Sequence, residues 1–328
     1  VKMPKSRTIL VTGANGQLGR ELQRIEWPNC WQIHPVDRSA VDLSDPDAIA
    51  ALVGNHPCSV VINAAAYTAV DAAETDPVAA WTVNALAPAA LAAACARAGI
   101  PLVQASTDYV FSGERTGDRL ENDPVDPINV YGASKLGGEL AVRTSGARHV
   151  ILRTSWLYSA SGRNFVTAML RMAVEQKIVR VVDDQRGNPT SASELAVAIS
   201  DVAMRLVDDP DAPTGIFHFA GSGTVSWADF AAEIFRQSAS RGGPFAHVEP
   251  IASTQYSRPA RRPANSALGL TAIRDAYGIN PRRWQESLRQ VLDEIMGGND
   301  EGHHSRRRQR HAASSGDTRR QQAVAAGL

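Results

Sequence analysis

The chain has 328 residues, with 34 Lys+Arg against 34 Asp+Glu and a formal charge of zero. That length carries two modest domains or one large core with an appended lobe, and the balanced charge supplies no basic field for bulk nucleic-acid binding. No apolar run approaches the ~20 residues of a bilayer span, and the scattered Cys30, Cys58 and Cys95 form neither a Cys-x-x-Cys pair nor a disulfide framework, which fits a reducing cytoplasm.

In chain order, RTILVTG (Arg7 to Gly13) is predicted as a continuously apolar strand with a glycine stop. A secretory leader would need a longer apolar region and a small-residue cleavage site. GQLGRELQRI follows as a helix, and WQIHPVD as a second strand ending at Asp37. SDPDAIAALV reads as a helix with Ser44 as N-cap, Pro46 in the first turn and Asp47 at the positive end of the helix dipole. CSVVINAAA is a third strand, and the alanine-rich stretch from Asp76 is a long helix closed by Gly99. IPLVQAS is a fourth strand, VYGASKLGGELAVR a helix and HVILRTSW a fifth strand. Apolar strands alternating with helices predict an α/β fold, a doubly wound parallel sheet covered on both faces.

The second half is choppier. NFVTAMLRMAVE, SELAVAISDVAMRLV, SWADFAAEIFRQ (capped by Ser226) and RWQESLRQVLDEIM read as helices, with short strands at KIVRVV and GIFHFAG. This suits a smaller lobe over the ends of the sheet. From Gly297 the chain loses apolar periodicity and is rich in Arg, Ser, Gln and His, so 297–328 reads as a disordered polar tail and its RRRQR run as solvated charge.

TGANGQLG places Gly13, Gly16 and Gly19 between the first strand and the first helix. Gly13 permits the sharp turn, Gly16 a close backbone approach to a pyrophosphate, and Gly19 tight helix–strand packing, while the helix N-terminus attracts phosphate. A dinucleotide site also needs a ribose reader. Asp37 lies 18 residues past Gly19, near the ~20 expected for the acid that binds the ribose hydroxyls of NAD. Arg38 follows at once and could accept the 2′-phosphate of NADP, so NADH and NADPH both remain open. Residues 1–155 are accordingly expected as a dinucleotide-binding Rossmann domain, and 156–296 mainly as a substrate-binding lobe, with some segments returning to the first domain.

VYGASK puts Tyr131 and Lys135 four apart, on one face of a helix. A free phenol has a pKa of ~10; a nearby ammonium is expected to lower it, can also bond the nicotinamide ribose of a cofactor, and suits the pair to passing a proton to a carbonyl oxygen. In a doubly wound fold, ligands lie at the carboxyl ends of the strands. Ser106, Thr107 and Asp108 end the fourth strand, Asn63 to Glu74 follow the third, and Thr154 to Tyr158 follow the fifth. Three polar ends on successive strands point to one shared cleft.

Together these motifs resemble the extended short-chain dehydrogenase/reductase family, and within it the dTDP-4-dehydrorhamnose reductases. The likeness rests on TGANGQLG, NAAAYTAVDAAE, STDYVFSG, VYGASKLGGE, LRTSWLY, DDQRGNPT and RRPANSAL. It implies an NADPH- or NADH-dependent reduction of the 4-keto group of dTDP-4-dehydro-L-rhamnose, in the synthesis of dTDP-L-rhamnose. It implies that Gly16, Gln17 and Leu18 line the cofactor phosphates, that Asp37, Asp42 and Leu43 hold its adenosine end, and that Ala66, Tyr67, Thr68 and Ala105 lie along it. It implies Tyr131 as proton donor supported by Lys135, with Thr107 and Asp108 on the sugar. Trp156 would pack against the sugar ring, and Arg262 would face the nucleotide diphosphate.

Other members of the family stay in view. Dehydratases carry Asp-Glu after the threonine, where this chain has Asp108-Tyr109, so the glutamate that would take a C5 proton is missing. An epimerase or another nucleotide-sugar reductase uses the same fold. The non-catalytic regulatory subunit of methionine adenosyltransferase is similar too, and an intact Tyr131 and Lys135 speak against it. Some relatives bind magnesium at a dimer contact; no acidic cluster in this sequence demands a metal, and a homodimer stays open. The expected partner is a nucleotide sugar, not a nucleic acid or a membrane.

Overall fold

The computed structural model describes residues 6–306. The first half runs β1 (Arg7–Thr12), α1 (Gln17–Arg24), β2 (Trp31–Val36), α2 (Pro46–Asn55), β3 (Val60–Asn63), α3 (Val70–Ala73), α4 (Pro77–Trp81), a π-helical turn (Thr82–Leu86), α5 (Ala87–Ala98), β4 (Leu102–Thr107), α6 (Val130–Thr144) and β5 (His149–Thr154). The second half continues with β6 (Leu157–Tyr158), α7 (Phe165–Glu175), β7 (Ile178–Val182), β8 (Arg186–Gly187), β9 (Thr190–Ser191), α8 (Ala192–Asp208) and β10 (Gly215–His218). It ends with β11 (Val225–Ser226), α9 (Trp227–Ala239), β12 (His247–Ile251), β13 (Asn265–Ser266), α10 (Thr271–Tyr277) and α11 (Trp284–Arg306).

Six strands form one parallel sheet in the order β10-β5-β4-β3-β1-β2. Alternate side chains feed two apolar layers. Ile9, Val11, Ile62 and Val103 pack with Leu195, Ile199 and Val202 of α8, while Leu10, Val61 and Leu102 pack with Ile49 of α2 and Leu91 of α5. Burial on both faces explains why these strands are apolar throughout. The chain winds outward from β1 in both directions, so the strand order reverses beside β1, which is where this architecture opens its ligand crevice. Three segments from the second half join this layer: α8 covers one face, β10 pairs with β5 at the edge, and α10 packs Ile273 into the same apolar layer as α8.

The smaller lobe is built from short sheets, β11-β8-β13, β12-β7 and β6-β9, around an aromatic core that includes Tyr158, Phe165, Trp227, Phe230 and Trp284.

Three expectations change at this level. The cap of α2 is Asp45, which accepts from the Asp47 and Ala48 amides, while the Ser44 hydroxyl turns back to Asp42. Pro46 favours this, because the residue before a proline is pushed into the extended region that a cap requires. The helical stretch Pro77–Ala98 is, contrary to the reading of the sequence, long and apolar enough to cross a bilayer, with a mean hydropathy of 1.6. Alanines raise that value without a run of large apolar residues, and the helix is half buried against α2 and α6. Finally, α11 continues past Gly297 to Arg306, into the expected tail; residues 307–328 of that tail lie outside the described residues.

Candidate active site

The polar strand ends lie at one edge of the sheet. Thr12 pairs with Asn63, Asn63 with Gln104, and Thr107 with Thr154. Gly13 turns at φ +75°, and a Cβ there would stand 2.5 Å from the Ala65 amide nitrogen. A Cβ on Gly19 would stand 2.2 Å from the Gly13 carbonyl. The Gly16 amide bonds the Gly13 carbonyl at 3.0 Å and begins α1. The loop is therefore a cradle walled by backbone at a helix N-terminus, which fits a dinucleotide pyrophosphate.

Around the cradle, the expected residues divide by side chain. Leu18 is buried in the core against α8, so it meets the cradle through its backbone. Gln17 reaches across to the smaller lobe, where its Oε1 accepts from Ser159 Oγ (2.9 Å) and Asn164 Nδ2 (3.1 Å). Asp37 follows β2 and is bonded by Asn15 Nδ2 (2.8 Å) and by the Ser39 amide and hydroxyl. The Ser39 bonds hold its carboxyl below the ordinary carboxylate range, so it stays ionised. Arg38 is exposed beside it. Asp42 is held ionised in the same way by Ser44, and Leu43 leans on the core below.

Ala66, Tyr67 and Thr68 form the loop after β3. Asn84 ties that loop down: its Oδ1 accepts from the Tyr67 amide (2.9 Å) and its Nδ2 donates to the Tyr67 carbonyl (3.0 Å) and to Ser134 Oγ on α6 (3.0 Å). Asn84 is 1% exposed and sits in the π-helical turn. Turns of this kind mark functional sites often. Nothing in the local sequence signals a π turn, and the sequence reading missed Asn84.

Asn129 caps α6 by accepting from the Gly132 amide (2.8 Å), and this sets Tyr131 and Lys135 on one face of the helix at the end of β4. Lys135 is 4% exposed, and its Nζ donates to the Ala105 carbonyl at 2.7 Å. Burial lowers its pKa to about 8, against a smaller upward pull from Glu139. Burial raises Tyr131 to about 12, with Asp108 adding to the rise and hydrogen bonding with Thr107 opposing it. The expected lowering of the phenol by Lys135 is thus reversed, because the ammonium is engaged at the strand end and desolvation dominates.

Thr107 Oγ1 donates to Asp108 Oδ1 at 3.0 Å and accepts from the Tyr109 amide at 3.2 Å. Asp108 is 2% exposed, and its Oδ2 has no partner. Burial raises its pKa to about 7, while hydrogen bonds from Ser266 and Thr107 pull it down. Ser106 turns the other way and braces a buried ion pair. Its hydroxyl donates to Glu139, which takes both Nε (2.9 Å) and Nη2 (2.7 Å) of Arg153. A bidentate pair with its remaining lone pair satisfied is the arrangement that makes a buried charge tolerable.

Trp156 follows β5 with φ +48°, the one non-glycine residue at positive φ among the described residues. It stacks on Trp227 at 3.5 Å, with planes 8° apart, and Gly187 lies against its ring. A strained backbone held by its packing is a mark of functional sites. Arg262 is paired inward: its Nη1 donates to Asp71 Oδ1 (2.8 Å) and to the Ala260 carbonyl (2.9 Å). Asp71 also takes Arg258 (2.8 Å). The Arg262 Nε and Nη2 are buried without partners, so in this conformation the guanidinium is turned from solvent. Among the described residues no group of three or more His, Cys, Asp or Glu side chains is arranged for a metal ion.

A family model described as RmlD substrate binding domain matches residues 7–296. A dTDP-4-dehydrorhamnose reductase of Burkholderia thailandensis is 43% identical over 295 residues, spanning 88% of this chain and 99% of that protein. The crystal structure of a dTDP-4-dehydrorhamnose reductase from Clostridium acetobutylicum superposes with a TM-score of 0.82 at 38% identity, covering 88% of this chain and 99% of that one. That of Bacillus anthracis, solved in complex with NADP, does so with a TM-score of 0.82 at 34% identity and the same coverage. The chain belongs to the RmlD family of dTDP-4-dehydrorhamnose reductases.

Proposed function

We propose that the protein reduces the 4-keto group of dTDP-4-dehydro-L-rhamnose to dTDP-L-rhamnose, with NADPH or NADH as reductant. One observation carries the reading beyond family membership: the glycine cradle, the Tyr131–Lys135 helix face and the Thr107–Asp108 strand end lie along one edge of the sheet. When bound, the reduced nicotinamide supplies the hydride to the keto carbon. Gly13, Gly16, Gly19 and the backbone of Gln17 and Leu18 take the cofactor phosphates. Asp37, Arg38, Asp42 and Leu43 take its adenosine end, and Ala66, Tyr67, Thr68 and Ala105 flank it.

Tyr131 gives its proton to the carbonyl oxygen. A phenol with a pKa of about 12 is fully protonated at neutral pH, which is the form a donor needs. Lys135, still largely charged at neutral pH and held at the Ala105 carbonyl, bonds the nicotinamide ribose, and solvent restores the Tyr131 proton. Thr107 orients the Tyr131 hydroxyl, and Asp108 and Trp156 hold the sugar. Arg262, released from Asp71, reaches the diphosphate. Tyr109, in the place of a dehydratase glutamate, supports reduction over dehydration.

Free thiols at Cys30, Cys58 and Cys95 support a cytoplasmic location. Exposed Val78, Trp81 and Leu140 on neighbouring helices support a homodimer. The reading is tested by following NADPH and NADH oxidation across dTDP-, GDP- and UDP-linked 4-keto sugars. The dTDP sugar is expected to turn over fastest, and a clear preference for another nucleotide would contradict the assignment.

A further inference from the structure

A chain of buried side chains crosses the sheet and ends at Lys135. Thr12 Oγ1 donates to Asn63 Oδ1 at 2.6 Å, and Asn63 Nδ2 donates to Gln104 Oε1 at 2.8 Å. Gln104 Nε2 donates to the Ala105 carbonyl at 2.9 Å, and Lys135 Nζ donates to that same carbonyl at 2.7 Å. Thr12, Asn63 and Gln104 are 0%, 1% and 2% exposed. Water therefore cannot replace a missing partner without opening the sheet.

The polarity of the chain is set by the backbone. Asn63 Oδ1 also accepts from the Ala65 amide at 3.1 Å, so the Asn63 amide group has one orientation. Its Nδ2 then faces Gln104, which must offer Oε1 to Asn63 and Nε2 to Ala105. The Ala105 carbonyl is free for this because β3 stops early. The Val61 amide bonds the Pro101 carbonyl, so the odd-numbered carbonyls of β4 face β3. The last partner on β3 is Asn63, opposite Gln104, which leaves Ala105 beyond the end of the ladder. A carbonyl oxygen has two lone pairs, and here one serves Gln104 and the other Lys135.

We propose that Gln104 is a positioning residue for Lys135, fixing the Ala105 carbonyl and through it the lysine ammonium in register with the glycine turn that begins after Thr12. The proposal rests on the reductase reading only for what Lys135 does once positioned. Replacing Gln104 by Met removes the donor to Ala105 and leaves Asn63 Nδ2 unpaired. Replacing it by Glu keeps the acceptor for Asn63 and removes the donor to Ala105: beside the Lys135 ammonium the carboxyl is ionised, repels that carbonyl and draws the ammonium to itself.

The test is NADPH affinity of Gln104→Glu and Gln104→Met, measured by fluorescence titration without sugar at about pH 7, with thermal melting alongside. Both variants are expected to bind about tenfold more weakly than wild type, the Glu variant even where its melting stays close to wild type. A variant that melts lower and binds like wild type would overturn the proposal and leave Gln104 a structural amide. If the Met variant does not fold, the affinity of the Glu variant decides alone. Wild-type protein that binds NADPH and reduces no keto sugar would instead contradict the reductase reading, while the same titrations still decide the role of Gln104.

Discussion

The Tyr109 ring meets the Tyr131 ring edge to face, with centroids 5.6 Å apart and planes at 79°. Such a contact is worth about 0.5–1.5 kcal/mol beyond the area it buries. It also holds the phenol that the proposed reaction uses. Burial keeps the Tyr109 hydroxyl far above its ordinary pKa, so Tyr109 packs and does not exchange protons. Tyr109→Leu is expected to lower kcat about 3- to 10-fold with little change in NADPH affinity. Steady-state kinetics and a cofactor titration check this; an unchanged kcat would show that the ring contact does not position Tyr131.

The lowered pKa of Lys135 sets an alkaline limit. The proposed mechanism requires the ammonium, which is lost as pH rises through about 8. Activity is expected to fall across that range, well below the ~10.4 of a free lysine. A kcat/KM profile that stays flat to about pH 10 would contradict the buried setting of this group.

Asp108 gives a stability prediction with a definite sign. Its folded pKa is raised to about 7, from an ordinary value of 3.8. The neutral carboxyl therefore suits the fold, and its contribution is complete below about pH 4 and lost as pH rises through 7. Asp108→Asn keeps the acceptor for Thr107 and removes the charge. Its Tm is expected to exceed that of wild type by several degrees at about pH 8 and to converge with it near pH 4. Equal melting at both pH values would show that the carboxyl is not desolvated.

Gly187 tests the setting of Trp156. A methyl group there would stand 2.6 Å from Trp156 Cε2, and the ring is already stacked on Trp227. Gly187→Ala is expected to displace the indole, to cost about 1–3 kcal/mol of stability, and to raise the KM for the sugar about tenfold with NADPH affinity unchanged. A wild-type KM would remove Trp156 from the sugar site.

Much of this site is legible in the sequence because one physical pattern repeats. Apolar runs that end abruptly in TGANGQLG, STD and TSW predict buried strands with polar carboxyl ends, and the parallel sheet gathers those ends at one edge. The four-residue spacing of Tyr131 and Lys135 likewise puts both on one helix face. What the sequence hides depends on partners far along the chain. Arg262 is committed to Asp71, 191 residues away, and Lys135 finds the Ala105 carbonyl because β3 ends one residue too soon to pair it. The raised pKa of Tyr131 follows from burial, which spacing alone does not reveal. Asn84 carries no local signal for the π turn that aims its amide at the Tyr67 backbone. Ser44 and Asp45 are both good caps by type, and Pro46 decides between them through its effect on the residue before it.

The proposed reaction is reduction of a nucleotide-linked keto sugar with Tyr131 as the proton donor. The most direct measurement is single-turnover oxidation of NADPH by dTDP-4-dehydro-L-rhamnose, in wild type and in Tyr131→Phe matched for bound cofactor. Wild type is expected to oxidise NADPH and form dTDP-L-rhamnose, and the variant to bind NADPH normally and react about 10²- to 10⁴-fold more slowly. A Tyr131→Phe protein that turns over at the wild-type rate would contradict the account.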